Sequence, residues 1–366
     1  MATEDPINLN PEQVDRAERL HEDITVVDGL VPTDAYLVED DYRDHLHRGG
    51  ISAGNFTVAS RSDYRGATEA IQDVHELVEE HGESFVVVDS TETIAEADEE
   101  GKVGVILGFQ DSMPAVPISR EDMDPGFEYL RSFQQMGVRI IQLTYNNLNY
   151  IGAGACERRD PGLSYYGQAF VDEMNALGIV VDLSHCGDRT TMEAIERSDD
   201  PVVISHANPR AVAPLQGRNK TDEHIEALAD NGGVIGVTVF PPLVKVDPDS
   251  YEVLQATVHD VIDHIDHIVD LVGVDHVAFG TDMNDHALDT GTTPEHSALR
   301  HFRPDHPEVY GRGPEETYDP YPRGVDRHEK LGNLTGALVE RGYSDDDIEK
   351  IMGGNLLRVF ETVWGE

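Results

Sequence analysis

The chain is short of cysteine and lysine and has no long apolar run, and each shortage closes off a class of protein. Its 366 residues include two cysteines, Cys156 and Cys186, too few for a disulfide framework. No window approaches the roughly 20 apolar residues that a membrane-spanning helix needs. The N-terminus, MATEDPINLNPEQVDRAERL, has neither the basic start nor the apolar stretch of a secretory signal, so the expectation is a cytoplasmic protein with no membrane partner. Lysine occurs only as Lys102, Lys220, Lys245, Lys330 and Lys350, and 27 Lys and Arg face 71 Asp and Glu, a net charge of −44. A field of that sign repels nucleic acid. The carboxylates are spread over every segment rather than gathered in a tail, the pattern of halophilic proteins, whose self-repulsion is screened by high salt. A disordered acidic chain is excluded because apolar runs recur throughout.

Those runs are short and β-branched: ITVVDGL at 24, ISAGNFTVA at 51, KVGVILGFQ at 102, VRIIQLTY at 138, GIVVDLSH at 178, PVVISHAN at 201, GGVIGVTVF at 232 and DHVAFGTDM at 275. Most follow a stretch with helical periodicity, such as GQAFVDEMNALG or TDEHIEALADNGG. Eight parallel strands alternating with helices predict a single α/β domain over residues 1–366, a (β/α)8 barrel of the TIM type. A ninth run, SFVVVDST at 84, exceeds the count and reads as an accessory strand or an elaborated loop. The first 23 residues read as a leading helix. Residues 284–331, rich in Pro, Gly, His and Asp, read as a rim or lid loop. The tail SDDDIEKIMGGNLLRVFETVW has a Ser/Asp cap and an apolar stripe, which predicts a packed helix broken near Gly353 and Gly354.

In such barrels the chemistry sits where strands end at the C-terminal mouth. The proposed strands end on Asp28, Gln110, Tyr145 with Asn146, His185, His206 with Asn208, and Asp282. Two histidines on consecutive strand ends and a carboxylate on the last suit a borderline metal such as zinc, with Asp282 able to ligate or move protons. Cys186 follows His185 and is expected to face the opposite way, into packing. His264 and His267 have helical i, i+3 spacing, but Asp263, Asp266 and Asp270 around them predict a solvated face. Histidines of the long loop, His286, His296, His301 and His306, could close over a ligand, though nothing in their spacing demands it.

From about residue 20 onward the sequence resembles the renal, or membrane, dipeptidases, zinc-dependent barrels that cleave dipeptides. The resemblance is carried by GVRIIQLTYN, GLSYYGQAFVDEMNALGIVVDLSH, PVVISHANPRAV, RNKTDE followed by GGVIGV, VGVDHVAFGTDM and GGNLLRVF. It implies that His185 and His206 bind one of two zinc ions, that Asp282 handles the proton of the attacking water, and that Arg218 grips the substrate's terminal carboxylate, a task suited to a guanidinium fork. It also makes a homodimer an assembly to test for.

The departures from that family matter as much. Its first-strand His-x-Asp is replaced by Leu30 and Pro32, neither of which can bind a metal, and its bridging Glu by the neutral Gln110. Tyr145 stands where a substrate-contacting His is usual. The resulting expectation is one zinc ion on His185 and His206, with a third ligand from Asp282, Cys156, Glu157 or Asp160, and with Tyr145 and Gln110 as hydrogen-bonding groups for a small-molecule substrate. The competing reading is a metal-free or non-catalytic small-molecule-binding barrel descended from a dipeptidase.

Overall fold

The computed structural model describes residues 7–32, 37, 39–60, 62–117, 127–284, 306–312 and 321–365. Nine parallel strands form one sheet: β1 (Val27–Val31), β2 (Ala53–Ala59), β3 (Phe85–Val87), β4 (Val103–Phe109), β5 (Val138–Gln142), β6 (Val180–Asp182), β7 (Val203–Ile204), β8 (Val234–Val237) and β9 (Val277–Phe279). Eight of them pair in the order β1-β2-β4-β5-β6-β7-β8-β9, while β3, the surplus run, pairs only with β4 and lies off that path. The two ends of the order meet: Asp282 N donates to Leu30 O at 3.1 Å, and Thr281 N donates to Asp28 Oδ1 at 2.8 Å. This is the expected (β/α)8 architecture, a near-closed barrel.

Period-two alternation explains its interior. Val27, Ala53, Ile106, Ile140, Val180, Val203, Val234 and Ala278, one from each barrel strand, form a single buried cluster with Leu356, Val359, Phe360 and Val363 of the helix Asn355–Trp364. The C-terminal helix therefore closes the lower end of the cylinder. Burying each Val or Ile contributes about 1.5–3 kcal/mol. One step further along the strands the lining turns to glycine and polar residues, because the backbones crowd. A Cβ on Gly280 would lie 1.9 Å from Ser205 O, and one on Gly236 would lie 2.1 Å from the same oxygen. Only glycine fits such an approach.

Of the first 23 residues, read as a leading helix, 1–6 lie outside the described residues and 7–10 precede the helix. The helix Pro11–Asp23 starts at an Asn10–Gln13 capping box. The tail folds as Asp345–Glu349, a π-helical turn Lys350–Gly354 and then Asn355–Trp364, so the break falls at Gly353 and Gly354. A Cβ on Gly353 would lie 2.2 Å from Thr25 O, which explains why the wider turn is glycine. Of the predicted rim loop, the helical turn Pro307–Tyr310 and the 3-10 turn His328–Lys330 are described, whereas His286, His296 and His301 lie outside the described residues.

Candidate active site

The upper end of β6 delivers Asp182, Ser184 and His185, and the upper end of β7 delivers Ser205 and His206. Asp182 is buried and accepts four hydrogen bonds: Oδ1 from Ser184 N (3.0 Å), Ser184 Oγ (2.6 Å) and Ser205 N (3.0 Å), and Oδ2 from Ser205 Oγ (2.6 Å). A buried carboxylate needs such partners. Ser205 Oγ also meets His206 Nδ1 at 2.7 Å. Since the Ser205 proton points to Asp182, the hydroxyl oxygen accepts from His206 Nδ1–H. The carboxylate thereby sets the tautomer of the imidazole through one serine.

His185 is held in a parallel way from β5's upper loop. Its Nδ1 donates to Asn146 Oδ1 at 2.7 Å, and Tyr145 stacks on its ring with centroids 4.2 Å apart. Both rings thus carry their proton on Nδ1, and their Nε2 atoms face each other at 2.9 Å. Two lone pairs at that distance repel unless a proton or a cation lies between them. A proton is disfavoured at His206: burial and the nearby charges of Arg218 and Lys220 hold its pKa well below the usual histidine range. The pair is therefore suited to a metal cation. Among the described residues, however, no group of three His, Cys, Asp or Glu side chains is placed to hold one.

Arg218 is 1% exposed and donates to two backbone carbonyls, Ser184 O and His206 O (3.2 Å), with Nε unpartnered. Its charge acts on both His206 and Asp282. Burial pushes the Asp282 carboxyl up to about 7, against the pull of Arg218 and with a push from Asp28. Asp282 adopts φ 48° and Asn146 φ 64°, two of only four non-glycine residues with positive φ among those described. That conformation costs about 1 kcal/mol, least for Asn and Asp, and its concentration here marks a strained mouth. Asp28 accepts from Leu30 N, Thr281 N and Thr281 Oγ1, so it fastens β1 to β9.

Other candidates are placed elsewhere. Asp160 accepts from Gly162 N, Thr190 N and Thr190 Oγ1, and Glu157 accepts from Leu148 N, so both shape loops. Burial raises the Cys156 thiol to about 12, which disfavours the thiolate a metal needs. Cys186 is packed, as expected, with Thr144 donating to its sulfur. The solvated face predicted for His264 and His267 needs correction: His264 is fully buried against Val244 O (2.8 Å), while His267 meets Asp222 Oδ1 (2.8 Å). Asn208 braces Thr238 and Leu243 through backbone bonds. Leu30 is buried and Pro32 partly so, and Gln110 lies buried at the end of β4, its carbonyl accepting from Gln142. Sequence reasoning missed Ser205 and Tyr310. The doubled Ser-His pairs of DLSH and VISH were a usable signal for the first; nothing local marked the second.

Comparison with known proteins bears on the fold and the family. Dipeptidase tcpJ of Claviceps purpurea is 28% identical over 328 residues, 89% of this chain. The chain spans only 63% of that relative's length, and 62% of an uncharacterized dipeptidase from Schizosaccharomyces pombe. An amidohydrolase from Pseudomonas aeruginosa superposes with a TM-score of 0.79 at 33% identity, over 96% of this chain and 99% of the other. A metallopeptidase from Rhodobacter sphaeroides, liganded with a phosphinate mimic of L-Ala-D-Ala, shares the fold with a TM-score of 0.72 at 19% identity, over 93% of this chain and 99% of the other. The family model for membrane dipeptidases matches residues 14–293 and 316–364, and the chain belongs to that family, peptidase family M19.

Proposed function

We propose that the protein is a metal-dependent hydrolase of dipeptides or a related small amide, using one zinc ion held by His185 and His206. The observation that carries this reading is the pair of Nε2 atoms facing at 2.9 Å, each imidazole fixed through its Nδ1 by Asn146 or by Ser205 and Asp182. When bound, the ion would polarise a scissile carbonyl and lower the pKa of an attacking water. The chain's own groups do the rest. Asp282, with a carboxyl near neutrality, takes up and returns a proton. Arg218 supplies a buried positive charge for a substrate carboxylate. Tyr145 and Gln110 offer hydrogen bonds at the mouth. The acidic composition suits action in a salt-rich cytoplasm, and a homodimer is the assembly proposed.

The second reading is a small-molecule-binding barrel that works without a metal. It is favoured by Leu30, Pro32 and Gln110 at three positions where the family carries ligands, and by the lack of a third ligand among the described residues.

Elemental analysis of protein purified in high salt separates the two. The hydrolase reading expects one metal equivalent per chain, lost in a folded His206→Ala variant, and turnover of some members of a dipeptide panel. Metal-free wild type, or equal metal content in the variant, would overturn it.

A further inference from the structure

We propose that Tyr310 is a positioning residue that couples docking of segment 306–312 to the orientation of the imidazole pair. The inference rests on the reading of His185 as a metal ligand, and deepens it by tying the rim to the site.

Tyr310 is 3% exposed, and its hydroxyl donates to Asn146 Oδ1 at 2.7 Å. The same oxygen accepts from His185 Nδ1 at 2.7 Å. A carbonyl oxygen has two lone pairs, and here both are engaged. Asn146 is further fixed by its left-handed backbone, φ 64°, and by Cys156 N donating to its carbonyl at 2.8 Å. Burial keeps the phenol protonated, so it remains a donor throughout the working pH range. The segment bearing Tyr310 is itself seated on loops around the mouth: Glu308 O accepts from Gln216 N (2.8 Å), Arg312 O accepts from Val253 N (2.9 Å), and Arg312 N donates to Tyr251 O (2.6 Å). Gln216 lies two residues before Arg218, whose guanidinium spans the carbonyls of Ser184 and His206. Undocking the segment would release the Asn146 amide and, with it, the bond that keeps the His185 proton on Nδ1. By linkage, a cation on the imidazole pair must stabilise the docked segment by the same factor.

Tyr310→Phe removes one hydroxyl and keeps the ring. Three readouts compare it with wild type: zinc affinity by chelator competition, the His185 tautomer by 15N resonance, and amide exchange at Gly311 and Arg312 with and without zinc. The expected result is zinc binding about 10-fold weaker, the low end for loss of a group that orients a ligand. The Nδ1–H form of His185 should decline, and the slowing of exchange by zinc should disappear. Zinc affinity within about twofold of wild type, with the His185 tautomer unchanged, would overturn the proposal. If wild type takes up no zinc, the hydrolase reading fails instead. The coupling is then decided in zinc-free protein, where an unchanged tautomer with unchanged exchange at Gly311 and Arg312 overturns it.

Discussion

Replacing Asp282 by Asn should stabilise the zinc-free protein, and only above a definite pH. Burial raises this carboxyl from 3.8 to about 7 in the folded state, while the unfolded chain ionises it near the ordinary value. Between those two values the folded protein holds a proton that the unfolded chain has released, so stability falls as pH rises. Each unit of separation corresponds to about 1.4 kcal/mol, which makes the accumulated loss about 4 kcal/mol by the time pH passes 7. An asparagine of the same shape carries no such liability. The difference in unfolding free energy between Asp282→Asn and wild type should therefore be near zero at about pH 4, grow through pH 5 and 6, and level off just above 7. Urea titrations at constant high ionic strength, after chelation, measure it, and subtraction removes the remaining carboxylates common to both chains. Parallel stability curves from pH 4 to 8 would refute the assignment of a buried, proton-holding carboxyl to this position.

Three further outcomes follow from the same geometry. Arg218→Met removes the charge that pulls the Asp282 carboxyl down, so the plateau should shift to higher pH, as read from the same titrations. Asp182→Asn would turn the Ser205 hydroxyl toward His206 Nδ1 and move the ring's proton to Nε2. That change should weaken zinc binding about 10- to 100-fold and lower stability by about 1.5–3 kcal/mol, measured by chelator competition, 15N spectra and denaturant midpoints. Gly280→Ala places a methyl 1.9 Å from Ser205 O, a backbone atom that cannot swing aside. It should destabilise the barrel by about 3 kcal/mol, and an unchanged melting temperature would exclude the close approach.

The barrel was readable because a parallel strand buried on both faces leaves an apolar β-branched run, and eight such runs closed the ring while SFVVVDST became β3 at its side. The histidine pair was readable from strand-end placement. What escaped notice depends on contacts between distant segments. His264 looked solvated beside its aspartates, but the turn Pro241–Val244 covers it and accepts its hydrogen bond. Asp160 and Glu157 stood among the candidate third ligands, and the backbone amides of Thr190 and Leu148 that bond to them come from segments the sequence does not bring together. Tyr310 lies 164 positions from Asn146 in the chain, and no local period records that meeting.

The floor of the cylinder is made by ten residues, Asn355–Trp364, that leave the ribosome after every strand they seal. Until they emerge, the hydrophobic ring running from Val27 to Ala278 has no lid beneath it, however well the strands have paired. Final consolidation of this fold is thus deferred past the synthesis of its chemistry-bearing half. A nascent chain halted just before Asn355 would present a ready client surface to chaperones.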